Sequence, residues 1–183
     1  MQGNVHEHGS VQSLRRRIAE VEQTNGELLA FARGHSGATN AIHEAVLAIM
    51  EADSLETFAA IVSSDWPAVL GVDAAAFAWS ADGMALAGDR TGLRPFEQRL
   101  VVRMAGIDRP VTIRQVDRGH PVFGADAEHI RAEIAIRLAG ARGIGLILLG
   151  ERQATAIDAP AATRLLRFLG RAASVMLERW PLV

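Results

Sequence analysis

The sequence predicts an α+β fold, an antiparallel sheet flanked by helices and preceded by an N-terminal coiled-coil helix. Three observations carry this expectation. Apolar residues recur at heptad spacing between Val11 and Ala32, two-residue alternation sets in after Val72 between turn residues, and helical periodicity returns from Ala159 onward. A chain of 183 residues suffices for one domain with a real core plus an appendage. The expected division is a flexible N-terminus over 1–10, a dimerisation helix over 11–35 and a single domain over 36–183.

In the heptad frame Val11, Ile18, Asn25 and Ala32 take the a positions, and Leu14, Val21 and Leu28 take the d positions. β-Branched residues at a with leucine or valine at d favour two parallel strands. A lone asparagine at a costs stability but fixes register. Arg17 at g and Glu22 at the following e face each other across such a dimer, and an exposed pair of this kind helps orientation more than energy. An amphipathic helix folded back on its own domain is the alternative. Three heptads are marginal alone, so the homodimer interface is expected to be completed by the closing helix, with Leu165 and Leu169 contributing.

The domain is expected to begin with a helix from Thr39 to Ala52, in which Ile42, Val46, Ile49 and Met50 form one stripe. Asp53 and Glu56 have capping-box spacing and restart the chain as a helix ending at Gly71, with Pro67 kinking or re-nucleating its last turn. From Val72 to Ser80, Ala75, Phe77 and Trp79 alternate with Ala74, Ala76 and Ala78. Asp82-Gly83 then turns the chain into a short strand over Met84 to Ala87. Pro95 opens a short helix carrying Phe96, Leu100, Val101 and Met104, and Pro110 precedes a strand from Val111 to Val116.

Between Arg131 and Leu138, polar Arg131, Glu133 and Arg137 alternate with apolar Ala132, Ile134, Ile136 and Leu138. One face should meet the core and the other water or a cavity. Gly143 to Leu149 is apolar on both faces, as suits a central strand. A last helix from Ala159 to Arg179 presents Leu165, Leu166, Leu169, Ala172, Ala173 and Met176, with Trp180 just beyond.

Composition narrows the function classes. The chain is 49% hydrophobic and 22% charged, too apolar for a disordered segment and too interrupted by charge for a membrane protein. Its net charge of -2 supplies no global field for nucleic acid, so no nucleic-acid partner is expected. The absence of cysteine excludes disulfides, thiolate nucleophiles and cysteine-ligated metals. No signal-like or membrane-spanning apolar run occurs, which points to a cytoplasmic protein with no membrane partner.

The order of helices, hairpin, helical link, strand, second hairpin and closing helix is that of a GAF-like domain. Within it, Phe123-Gly124, Ile130-Arg131, Leu148 to Gly150, Leu165-Leu166, Phe168-Leu169 and Arg179-Trp180 fall as in the DUF484 family, and from Leu14 onward the chain resembles that family. The resemblance implies a GAF-like domain behind a coiled-coil helix and a broad sensing or scaffolding role, with no assigned reaction. Ala132 and Glu151 stand where the family usually has serine, and RQATAID replaces an Arg-Asp-Pro segment. Among GAF-like activities, methionine-sulfoxide reduction and covalent bilin attachment need the cysteine that this chain lacks. Cyclic-nucleotide recognition goes with an Asn-Lys-x-Asp signature, and there is no lysine.

No catalytic motif emerges. Gly140-Ala-Arg-Gly143-Ile-Gly145 joins two expected strands and lacks the Gly-Lys-Ser/Thr of a phosphate loop, so it reads as a hairpin turn. No serine lies in a Gly-x-Ser-x-Gly elbow. His6 and His8 lie in the terminus, and His35 and His43 are too far apart on a helix to share an ion, so no metal or haem is expected and any cofactor is unknown. What remains is a small-molecule pocket between the sheet and Val111 to Gly124, with Trp79, Arg114, His120, Phe123, Arg131 and Glu133 as candidate lining. Against it stands a filled core with the charged groups in solvent. The expected function is a non-catalytic, homodimeric regulatory or sensory module. A structural protein-protein adaptor without a small ligand is the alternative, and an unrecognised enzyme comes third.

Overall fold

The computed structural model describes Arg17 and residues 36–106, 109–153 and 159–182. Val11, Leu14, Ile18, Val21, Asn25 and Leu28 lie outside the described residues, as does Glu22. Asn40–Val183 make up one compact unit.

Helix α1 occupies residues 36–50 and buries Ile42, Ala45, Val46 and Ile49. The next helix, α2 (Leu55–Ala60), is capped by Ser54, whose hydroxyl accepts from the Thr57 amide at 3.1 Å. The capping pair is therefore Ser54 and Thr57 and not Asp53 and Glu56. Asp53 instead accepts from the Thr57 hydroxyl at 2.9 Å. The chain then widens into a π-helical stretch, Ile61–Asp65, before α3 (Trp66–Leu70). Pro67 has no amide to donate, and a wider turn just ahead of it accommodates the loss, with the Trp66 amide reaching the Ile61 carbonyl. The indole of Trp66 is anchored on the Ala45 carbonyl at 3.2 Å, which ties α3 to α1.

The sheet contains β1 (Ala74–Ala81), β2 (Met84–Asp89), β3 (Gly92–Pro95), β4 (Val111–Gln115), β5 (Ala132–Ala139) and β6 (Gly143–Glu151). Its order is β3-β2-β1-β6-β5-β4, and every neighbouring pair is antiparallel. As expected, β6 is central, and Asp82-Gly83 turns β1 into β2 with both residues at positive φ. Strand β3 is a departure from expectation. Pro95 ends this edge strand, where a missing amide costs no ladder bond, and α4 (Gln98–Ala105) starts only after Glu97.

Alternation divides the core into two layers. Ala75, Phe77, Trp79, Ile134, Ile136, Leu138, Ile147 and Leu149 face α1, α2, α3 and α5 (Ala159–Leu177). On the opposite face, Ala74, Ala76, Ala78, Leu146 and Leu148 meet Val101 and Ala105 of α4. A 3-10 segment, Pro121–His129, with Ile130 after it, completes that layer. Of the polar face expected for β5, Arg131 is exposed and Arg137 half-buried, but Glu133 is closed off from water. Glu133 is 1% exposed, because a second apolar layer covers it.

Two of the expected dimer contacts also change. Leu169 is fully buried in this domain's own core, and Leu165 packs against that core while keeping part of its surface exposed. The large apolar residues that α5 leaves exposed are Phe168 and Val175.

Candidate functional site

The sheet face under Pro121–His129 has a floor of small side chains, Ala74, Ala76 and Ala78 of β1 and Ala85 and Ala87 of β2. Small residues let the covering segment approach closely. Val122, Phe123, Ala127 and Ile130 fill the space above them. Two polar clamps, reaching His120, Pro121, Val122 and Asp126, hold this roof down.

The first clamp centres on Glu133, whose side chain is wholly out of water. Antiparallel register places Arg114 of β4 opposite it. Arg114 donates to Oε1 from Nε at 2.5 Å and from Nη2. The backbone amide of His120 donates to Oε2 at 3.1 Å. His120 Nδ1 in turn accepts from the Val122 amide at 3.2 Å and caps the 3-10 segment. Burial holds the His120 imidazole below its ordinary pKa; Glu133 opposes this and Arg114 reinforces it. Glu133 Oε1 is engaged by Arg114, and Oε2 and the Nδ1 of His120 are engaged in holding the segment, which is poor placement for proton transfer to a substrate.

The second clamp joins the β2–β3 hairpin to the same segment. Arg90 makes a two-pronged bond to Asp126, with both contacts at 2.8 Å. Arg94 reaches Asp89 at 3.3 Å and the carbonyls of Pro121 at 3.0 Å and Val122 at 3.3 Å. Asp89 is 4% exposed and accepts from the Thr91 amide at 2.8 Å and the Thr91 hydroxyl at 2.5 Å. Burial pushes the Asp89 carboxyl up, but the Thr91 bonds and Arg94 together outweigh it and hold the group below the ordinary range. Gly124, at φ 59° and ψ -127°, passes so close that a β-carbon there would lie 2.3 Å from Asp89 Oδ2.

Of the residues expected at the site, Arg114, His120 and Glu133 meet directly. Phe123 lies beside them: its ring covers Gly150, which pairs with Glu133 across the sheet. Trp79 does not join them. It shares the parity of Phe77 and points to the helical layer, on the other side of the sheet. Its indole explains the glycine-rich hairpin too, since a β-carbon at Gly143 would come within 2.5 Å of the ring, and one at Gly145 within 2.9 Å. Arg131 also stays apart, folding back to donate to the Glu128 and Ile130 carbonyls, each at 2.9 Å.

Sequence reasoning missed Asp89, Arg90, Arg94 and Asp126. The available signal was Asp89-Arg90-Thr91-Gly92, an Asp side chain two residues before an amide it can cap and a glycine to close the turn. Near the far end of β6, Glu151 is pushed up from the ordinary carboxyl range by burial and by Asp73 beside it. Among the described residues no group of three or more histidine or acidic side chains could hold a metal, and no helix is long and apolar enough to cross a membrane.

A six-stranded antiparallel sheet with helices on one face and a helix plus 3-10 roof on the other is a GAF-like fold. It is similar to the GAF domain of a putative sensor histidine kinase from Pseudomonas syringae pv. tomato, with a TM-score of 0.53 and 12% identity over 82% of this chain and 91% of that one. It is also similar to the chromophore-binding domain of a Stigmatella aurantiaca bacteriophytochrome in the Pr state, with a TM-score of 0.52 and 15% identity. That match covers 76% of this chain and 59% of the longer phytochrome chain. At these identities the likeness concerns the fold. The family model for DUF484, described as a protein of unknown function, matches residues 5–182, and the chain belongs to that family. No curated protein matches the sequence.

Proposed function

We propose that this chain is a non-catalytic regulatory module of GAF type, working as a homodimer and responding to a small molecule at the roofed sheet face. One observation carries the reading. The roof over the alanine floor is a short 3-10 segment, held by the Arg90–Asp126 ion pair and by hydrogen bonds from Arg94 to the Pro121 and Val122 carbonyls and from the His120 amide to Glu133, rather than a long helix packed along its whole length. Such a cover can be displaced by a ligand that replaces a few polar contacts. The two structural neighbours are the GAF domain of a putative sensor histidine kinase and the chromophore-binding domain of a bacteriophytochrome, and this reading extends a receptor role to the present chain.

The exposed apolar residues support the dimer. His43, Leu47 and Met50 recur on the outer side of α1, and the His43 ring meets Phe168 of α5 edge-on at 6.3 Å. Leu47, Met50, Phe168 and Val175 are 48–67% exposed, on the helix that follows the heptad region and on the closing helix. An apolar face of this kind is what a second copy would cover.

A structural adaptor is the second reading, favoured by the filling of the roofed face by Val122, Phe123 and Ile130. Native mass spectrometry of the purified chain separates the two. A dimer that retains or takes up a small molecule from metabolite pools supports the regulatory reading. A dimer that stays unliganded across those pools favours the adaptor. A monomer at micromolar concentration refutes both as homodimers.

A further inference from the structure

Strand β5 runs on past the first residue of edge strand β4, where the Arg137 amide bonds the Pro110 carbonyl at 2.9 Å. Beside this edge lies a groove of about 290 Å3, lined by Pro110, Arg137, Ala139, Arg167, Arg171 and Ser174. A second depression of about 50 Å3 adjoins it, with Arg109, Arg114 and Arg137 in its wall. Arg137 borders both. None of the described residues lining either depression is acidic.

The arginines here differ in how they are used. Arg114 is committed to Glu133. Arg137 is half-buried and its Nε is held by the Ala105 carbonyl at 2.6 Å, which fixes the plane of its guanidinium while leaving the terminal nitrogens for another acceptor. Among the described residues, Arg109, Arg137, Arg167 and Arg171 form no carboxylate ion pair, although Arg90, Arg94, Arg114, Arg118 and Arg142 all do. Arg167 and Arg171 stand one turn apart on α5, a like-charge spacing that destabilises a helix unless an anion sits between them. Ser174 cannot serve as that anion's partner, since its hydroxyl already donates to the Gly170 carbonyl at 2.8 Å and accepts from the Ala139 amide at 3.2 Å.

We propose that this groove binds a small molecule carrying two or more phosphate groups. Three guanidinium groups from two separate elements converge on the groove, more than a single phosphate needs, and each can grip an oxyanion through two N–H donors. Its volume is at the lower end for ligand sites, which run from roughly 300 Å3 upward, and suits a compact polyanion. Single-stranded nucleic acid is gripped by stacking its bases on rings, and no aromatic residue among those described lines the groove. The recognised part is therefore the phosphate chain itself. This site uses residues distinct from the roofed face and stands or falls independently of it.

The test is isothermal titration of the full chain at low salt with inorganic phosphate, pyrophosphate and tripolyphosphate. Pyrophosphate should bind at least about tenfold more tightly than phosphate, and Arg167→Gln with Arg171→Gln should weaken pyrophosphate by about tenfold or more. Both side chains are exposed, so the melting temperature without ligand should hardly change. Should the double variant fail to fold, each single variant should still weaken binding. Equal binding of phosphate and pyrophosphate, or variants that bind pyrophosphate like the parent chain, would overturn the proposal. So would tighter, arginine-dependent binding of a short single-stranded oligonucleotide or of anionic phospholipid vesicles, either of which assigns the groove to a different partner.

Discussion

Replacing Arg114 by methionine preserves much of the stem's apolar area and removes the charge. Glu133 is then left with a side chain wholly out of water and one remaining contact, the His120 amide at 3.1 Å. Breaking a buried pair in this one-sided way costs about 3–5 kcal/mol. Arg114 itself is about half exposed, with 49% of its side chain in water, so solvent reaches the vacated position and the lower end applies. The expected loss is about 3 kcal/mol, or roughly 6–12 °C in melting temperature for a chain of this size. Replacing both partners, Arg114→Met with Glu133→Leu, removes the stranded carboxylate as well and should recover most of that loss. Urea denaturation of the parent, both single variants and the double variant closes the cycle. A coupling energy below about 0.5 kcal/mol would refute the view that this pair is a buried clamp, because the two groups would then act independently.

Gly124→Ala should destabilise the domain by about 3 kcal/mol, combining a positive φ with displacement of the held Asp89 carboxylate; an unchanged urea midpoint would show that the segment shifts freely. His120 has its folded pKa below the unfolded value, so its contribution to stability is present above about pH 6.5 and is lost as pH falls toward the folded value. His120→Asn keeps a cap without the titration and should flatten the decline in melting temperature between about pH 7.5 and 5.5. A slope identical to the parent's would assign that decline to other groups. In the heptad region, Asn25→Leu should raise thermal stability while admitting oligomers larger than a dimer, as read by sedimentation. Destabilisation of that variant would reject the frame.

How much of the fold could be read in advance varies with the kind of signal. The parity of Ala75, Phe77 and Trp79 against their alanine neighbours is a local property, and it emerged correctly as two faces of one strand. Which face meets the helices is not local, and so Trp79 was grouped with Phe123 although the sheet lies between them. Likewise Glu133, between Arg131 and Arg137, reads in sequence as facing water or a cavity, because nothing nearby reports that a segment from Pro121 onward covers it. The helix cap was misplaced by one residue for a related reason. Asp53 and Ser54 can both cap, and only the backbone angles at Ser54 decide between them.

The sequence alone determined the α+β class, the central place of the all-apolar β6, the Asp82-Gly83 hairpin and the family, because these depend on periodicity, turn chemistry and matched residues close together in the chain. Tertiary structure decided that Glu133 is buried against Arg114 and His120, and that Arg90 and Arg94 reach 36 and 27 residues along the chain to pin one segment. It also decided that Leu169 belongs to the domain's own core and that Arg137 shares a groove with Arg167 and Arg171. Each of these depends on which strands are neighbours and which side of the sheet an element covers. Burial and charge pairing are properties of that arrangement, and a side chain's own type and spacing leave them open.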